Sequence, residues 1–263
     1  MTTAKFEKLL SILKEMQSVV LAFSGGVDST FLLKAVRESG IRHLAVTAFS
    51  ETMPGSELKC AEETARLMGV HHRIIRTGEL DNPEFSRNPR NRCFYCKDEL
   101  FSKLSDIAAA EGYKCVIDGS NNDDLADWRP GRQAAVKHGV RSPLMEAALS
   151  KDEIREISKA MGLPTWSKPA SPCLSSRLPY GTEITRDALK RIELSEEFLK
   201  SLGFGNLRVR SHDDMARIEV TDKELSRFFD KGIRESVVTR LKEFGFKYIV
   251  VDLEGFRSGR LNE

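Results

Sequence analysis

Apolar residues recur along this chain in two alternating rhythms. Positions 18–23 form an apolar run, followed by Ser-Gly-Gly and then by apolar residues at helical spacing over 29–38. After a helical N-terminus, further extended runs at 43–48, 72–76 and 115–118 alternate with helical patterns at 56–68 and 97–110. Strands that alternate with helices predict an α/β fold, a parallel sheet covered on both faces with ligand loops at the carboxyl ends of its strands. Ser150 and Glu153 have capping-box spacing, which predicts a helix over 151–161. The rhythm then breaks, because 162–182 holds four prolines, two glycines and a cysteine. Such a stretch is too irregular for a core element and too long for an idle connector, so it reads as a functional crossing loop. Thr185 then caps a helix to 202, LRVR and ARIEV read as two strands, 223–244 as helical and 247–252 as a last strand. The expected organisation is a domain over 1–182 that includes the crossing loop, and a small α+β domain over 183–263.

The 263 residues suffice for one substantial core with a small second domain. Lys and Arg number 41 against 39 Asp and Glu, with no long block of either sign, so nothing demands a nucleic-acid partner. The N-terminus mixes charged and apolar residues at helical spacing and lacks the continuous apolar stretch of a signal peptide or membrane span. A cytoplasmic protein without membrane attachment is expected.

The most informative residues are Ser24, Gly25, Gly26, Val27, Asp28 and Ser29, set between a strand and a helix start. Two glycines let the backbone turn tightly beside a ligand, and the helix that follows offers N–H groups and its positive dipole end to an anion. The hydroxyls of Ser24, Ser29 and Thr30 add donors. No Gly-Lys-Ser/Thr follows, so this is not a Walker A loop, and it lacks the dinucleotide spacing. SGGVDS resembles the PP-loop signature of the ATP pyrophosphatases, which include GMP and NAD synthetases, argininosuccinate synthetase and several tRNA-thiolating enzymes. That resemblance implies an adenine nucleotide alpha hydrolase-like domain that binds ATP with Mg²⁺, grips the pyrophosphate leaving group and uses Asp28 to organise the metal.

Five cysteines in a chain of this length are no disulfide scaffold. Cys60 and Cys115 fall in a helical and a strand pattern and read as small core residues. Cys93 and Cys96 form C-x-x-C just ahead of the helical pattern, where a helix N-terminus stabilises thiolates. Cys173 lies in the crossing loop, which could bring a third thiol to the pair. A redox pair and a metal site are both consistent with the spacing, and zinc completed by His212 or water is one form of the latter.

Taken together, SGGVDS, RCFYCK, DGSNNDD with DWRPG, PCLSSRLPYGTEIT, and RVR followed by RIEV closely resemble the LarE-type ATP-dependent sulfurtransferases, over nearly the whole chain. That resemblance implies adenylation of the carboxylates of pyridinium-3,5-biscarboxylic acid mononucleotide and their conversion to thiocarboxylates for the nickel-pincer cofactor of lactate racemase. Single-cysteine members of the family give up the sulfur of the residue matching Cys173, whereas three-cysteine members hold a [4Fe-4S] cluster that relays sulfide. All three positions are present here, so the resemblance implies the cluster type, with Cys93, Cys96 and Cys173 each on one iron and the fourth iron open. It further implies a sulfide source and a homo-oligomer.

The same resemblance places the nucleotide and activated substrate near Asp118, Gly119 and Ser120, and near Asp123, Asp124, Asp127 and Arg129. Ser176 and Arg177, close after Cys173, are candidates to hold a substrate phosphate or carboxylate. Arg208 and Arg210 alternate on one strand, as do Arg217 and Glu219 on the next, so each pair shares a face, and the resemblance suggests a phosphate site there. Glu219 is expected to join it with either Glu196 or Glu197, while His71 and His72 read as ordinary surface or edge residues. A tRNA thiolase would fit the loop and cysteines but adds no visible RNA-binding domain. An amide-forming synthetase would leave the three cysteines without a role.

Overall fold

The computed structural model describes residues 2–125 and 129–257. The chain divides into two compact units, Met1–Phe85 with Arg90–Ser171, and Ser86–Pro89 with Pro172–Glu263.

The first unit runs α1 (Thr2–Met16), β1 (Ser18–Ala22), α2 (Val27–Ser39), β2 (Arg42–Phe49), α3 (Gly55–Leu67), β3 (His72–Arg76), α4 (Pro83–Ser86, ending in the other unit), α5 (Arg92–Glu111), β4 (Cys115–Ile117), α6 (Gly131–Lys137), α7 (Pro143–Glu146) and α8 (Lys151–Ala160). Its four strands are ordered β3-β2-β1-β4 and all parallel, with Val20 opposite Leu44 and Val116. Alternate residues of β1 serve two cores. Val19 and Leu21 join Phe31, Leu32 and Ile154 on the face covered by α1, α2 and α8, while Val20 joins Phe101, Leu104 and Ala134 under α5 and α6. A strand buried on both faces is apolar along its interior, which is why the run continues unbroken from Val19 to Phe23. Because β1 has β2 on one side and β4 on the other, the chain reverses its winding direction there, and the loops after β1 and β4 open at a topological switch point.

The second unit holds α9 (Arg186–Ser201), β5 (Arg208–His212), β6 (Met215–Glu219), α10 (Asp222–Leu225), α11 (Lys231–Glu243) and β7 (Tyr248–Val251). Its sheet is ordered β5-β6-β7, antiparallel then parallel, over a core of Leu199, Val209, Ile218, Val237, Leu241 and Phe246. Residues 86–89 are held inside this unit: Ile184 N–H donates to the Ser86 carbonyl at 2.7 Å and the Asn88 amide to the Pro179 carbonyl at 2.7 Å.

Two elements differ from expectation. Helix α5 begins at Arg92, about a turn before the predicted start, because no Gly or Pro interrupts the segment and Phe94 already seats against the core. Cys93 and Cys96 therefore lie within the helix, not ahead of it. The predicted helix over 223–244 is broken into α10, a 3₁₀ turn over Ser226–Phe229 and α11, since Asp230 starts a new helix by accepting from Ile233 N–H at 2.8 Å.

At α8 the capping box forms as the spacing predicts, with Ser150 Oγ accepting from Glu153 N–H at 3.3 Å and the Glu153 carboxylate accepting from Ser150 N–H at 2.9 Å. Ser150→Ala removes one half of that exchange and is expected to lower stability by about 1 kcal/mol, read from the midpoint shift of urea unfolding at unchanged slope.

Candidate active site

The loop after β1 turns at Gly25, whose φ of 67° lies in the left-handed region. A β-carbon there would stand 2.8 Å from the Ala61 Cα of α3, so backbone meets backbone and only glycine fits. Gly26 heads α2 with no side-chain cap of its own. The hydroxyls of Ser24 and Ser29 lie 3.1 Å apart, Ser29 Oγ donates to the Gly26 carbonyl at 3.2 Å, and Gly26 N–H reaches Ser24 Oγ at 3.4 Å. Of the predicted hydroxyl donors, Ser24 is exposed, whereas Thr30 is fully buried with its Oγ1 unpartnered. The loop after β4 backs onto this turn, since a β-carbon on Gly119 would lie 3.1 Å from the Ser29 nitrogen. Two loops from neighbouring strand ends thus meet at the start of α2.

Charge at the loop is arranged by residues the sequence did not single out. Asp28, in the first turn of α2, forms a short ion pair with Lys151 of α8, and its other oxygen accepts from the Asn121 amide at 3.4 Å. Lys168 sends its ammonium to the Gly25 carbonyl at 3.2 Å, Cys60 Sγ at 3.1 Å and Glu57 at 2.8 Å. Burial pulls the Lys168 pKa down, but the bonds to Glu57 and Cys60 outweigh it, so the group is held above the usual lysine range and stays charged. Nothing in the spacing of Lys151 or Lys168 from SGGVDS signals these approaches, which need the tertiary fold. Asp124 is buried, accepts from Asn121 N–H at 3.0 Å and pairs with Arg129 at 2.8 Å. Asp118 takes the hydroxyls of Ser142 at 2.7 Å and Ser120 at 2.8 Å, and Asp123 accepts from Lys151 N–H at 2.9 Å. Asp127 lies outside the described residues.

Cys93 and Cys96 stand three residues apart in the first turns of α5, on one side of the helix. Cys93 is exposed, and Cys96 is half-buried with Sγ 3.9 Å from the carboxylate of Glu79. Glu79 is itself buried and takes the hydroxyls of Ser50 at 2.6 Å and Thr52 at 2.7 Å, both at the carboxyl end of β2. All five cysteines are thiols. Cys115 packs against the core as expected, whereas Cys60 is half-buried against the Lys168 ammonium. His72 is half-buried on edge strand β3, its Nε2 2.8 Å from Thr47 Oγ1, and burial lowers its pKa.

In the second unit Cys173 precedes a 3₁₀ turn over Leu174–Arg177. Arg177 is only 2% exposed. Its guanidinium makes a bidentate pair with Glu196, both bonds 2.9 Å, and donates to the carbonyls of Pro172 at 2.6 Å and Cys173 at 3.0 Å and to Ser176 Oγ at 2.9 Å. Arg177 therefore grips the backbone that carries the thiol, and Ser176 Oγ also donates to the Cys173 carbonyl, at 2.8 Å. Of the two candidate glutamates on α9, Glu196 is buried and Glu197 exposed. Strand pairing sets Arg208 opposite Glu219 and Arg210 opposite Arg217, so the four residues share a face, as the alternation predicts. Arg210 pairs with the fully buried Glu219 at 2.6 Å and donates to the Ser176 carbonyl at 3.1 Å. Arg208 donates to the Leu207 carbonyl and lies over the Phe256 ring. Burial, and to a lesser extent the neighbouring Arg177 and Arg210, pushes its pKa down to about 10. His212 sits on the same strand with its pKa lowered by burial and by Arg217 and Arg210.

Among the described residues, no group of three or more His, Cys, Asp or Glu side chains is already gathered to hold a metal, and no helix is long and apolar enough to cross a membrane.

No family model matches the chain. An uncharacterized protein of Synechocystis sp. is 44% identical over 263 residues, covering 100% of this chain and 98% of its own. Pyridinium-3,5-bisthiocarboxylic acid mononucleotide synthase of Lactiplantibacillus plantarum is 38% identical over 257 residues, 97% of this chain and 92% of that enzyme. The glutamine-hydrolyzing GMP synthase of Thermus thermophilus is 25% identical over 222 residues, 74% of this chain and 43% of its own. The near full-length match to that synthase, with the weaker match to a GMP synthase beside it, places the chain: it belongs to the LarE-type family of ATP-dependent sulfurtransferases, within the PP-loop ATP pyrophosphatases.

Proposed function

We propose that this enzyme adenylates the carboxylates of pyridinium-3,5-biscarboxylic acid mononucleotide and replaces one oxygen of each by sulfur, as the name of its Lactiplantibacillus relative suggests. The observation that carries the reading is the support of Cys173. A buried guanidinium spends its donors on the backbone around one thiol, on a chain that also carries a complete phosphate loop. In this reading Ser24, Gly25, Gly26 and Ser29 receive the phosphates of ATP, with Thr30 packed beneath them, while Gly119 and Asp124 border the nucleotide.

The chemistry balances without a redox step. A carboxylate oxygen attacks the α-phosphorus, pyrophosphate leaves, and a sulfur nucleophile then adds to the acyl carbon and expels AMP with the carboxylate's oxygen. The loop N–H groups and α2 dipole stabilise the leaving pyrophosphate. The carboxylate of Asp28, which Lys151 meanwhile neutralises, would hold magnesium, and the ion would supply positive charge to the departing pyrophosphate. Arg208, with Arg210 beside it, receives the mononucleotide phosphate; Glu219 orients Arg210, and Ser176 and Arg177 act through the Cys173 backbone.

The donor set fits a [4Fe-4S] cluster: two thiols one helical turn apart in the first unit, a third on a clamped turn in the second, none in a disulfide. When bound by Cys93, Cys96 and Cys173, such a cluster supplies the sulfur from external sulfide and spares the protein's own. A sacrificial Cys173 is the second reading, favoured by the same backbone support of that one thiol.

Anaerobic reconstitution with iron and sulfide is expected to give about four irons per chain, lost in Cys93→Ser, Cys96→Ser and Cys173→Ser. Zinc in place of iron, or iron loading indifferent to Cys173, contradicts the relay and leaves the sacrificial route. Gly25→Ala forces a β-carbon onto Ala61 in a left-handed turn and is expected to weaken MgATP binding at least about tenfold in calorimetry.

A further inference from the structure

We infer that Lys168 is a positioning residue of the phosphate loop, which fixes the orientation of the peptide between Gly25 and Gly26 by holding the Gly25 carbonyl. The inference deepens the ATP-binding reading and rests on it. In a planar trans peptide the C=O and the following N–H point in opposite directions, so anchoring the Gly25 oxygen aims the Gly26 N–H the other way. That N–H reaches toward Ser24 Oγ, at 3.4 Å, on the side where the loop offers donors. The opposite orientation would turn a carbonyl toward the phosphates and repel them. Flanked by two glycines, this peptide has little steric resistance to flipping. The Ser24 contact at 3.4 Å is a long one, so a hold on the carbonyl from outside the loop adds most to its orientation.

Lys168 is built for that task. Its side chain is 18% exposed and ends on three acceptors, with Glu57 and Cys60 both supplied by α3, the helix against which Gly25 packs. Its backbone is fixed as well. Arg155 of α8 donates to the carbonyls of Trp166 at 2.8 Å and Lys168 at 2.9 Å, and Lys168 N–H donates to the Thr165 carbonyl at 3.0 Å. Held by α8 at one end and α3 at the other, the side chain is a strut across the unit with the loop carbonyl under its tip. A lysine serving only to pair with Glu57 would not need its main chain clamped or its ammonium shared with a loop carbonyl.

The test compares wild type, Lys168→Met, Lys168→Arg and Glu57→Gln as full-length chains, measuring equilibrium binding of inorganic pyrophosphate with magnesium, and of AMP. Lys168→Met is expected to weaken pyrophosphate roughly tenfold while AMP changes by less than about twofold, with Lys168→Arg restoring most of the loss. Glu57→Gln keeps the ammonium but loosens its anchor, and is expected to shift pyrophosphate binding a few-fold in the same direction, which preserves the test if Lys168→Met does not fold. Unchanged pyrophosphate affinity in the folded variants, or equal losses for pyrophosphate and AMP, overturns the positioning role. Failure of wild type to bind pyrophosphate at all would instead count against the ATP reading beneath it.

Discussion

The contact between Gly25 and Ala61 is the constraint on which the first unit turns. Two stretches of backbone meet with no room for a β-carbon, so the chain leaving β1 must take a left-handed turn before entering α2. That turn frees the first N–H groups of α2 and fixes where Asp28 and Ser29 stand. The parallel sheet supplies the rest, because β1 ends between β2 and β4, and the loop after β4 meets the same helix start through Gly119. The meeting of these two loops at one edge is a consequence of strand order before it is a property of any side chain.

The second unit solves a different problem, holding one thiol on irregular chain. A 3₁₀ turn has few internal bonds, and the segment from Pro172 to Arg177 relies on the buried Arg177 guanidinium and its bidentate pair with Glu196. Such a pair gains little net stability over an apolar contact, since removing two charges from water costs about what their attraction returns. Its value here is geometric. One planar cation satisfies two carbonyls, a hydroxyl and a carboxylate, and so sets the backbone on which Cys173 stands.

Much of this was legible in the sequence where local pattern and tertiary demand agree. The unbroken apolar run of β1, the Ser150 and Glu153 cap and the alternating arginines of β5 each reported the structure directly. The start of α5 was not legible, because Arg92 to Cys96 carries no periodicity of its own and turns helical through the seating of Phe94. Asp230 likewise looks like one more polar residue in a helical pattern until its carboxylate caps Ile233. The residues that tune the loop were hidden for a deeper reason. Lys151 and Lys168 lie more than a hundred positions from SGGVDS, and a lysine's reach is invisible until α8 is packed beside α2. Arg177 was readable as an important arginine, but only its burial shows that it serves the Cys173 backbone.

The central claim is that the glycine loop receives a pyrophosphate leaving group while the substrate carboxylate is adenylated. Supplying the anaerobically reconstituted enzyme with MgATP, the biscarboxylic mononucleotide and sulfide, and identifying the nucleotide products by chromatography and mass, tests it most directly. The account predicts AMP and pyrophosphate in equal amounts, formed in step with the thiocarboxylate. ADP with inorganic phosphate, or thiocarboxylate formed without ATP cleavage, would contradict it.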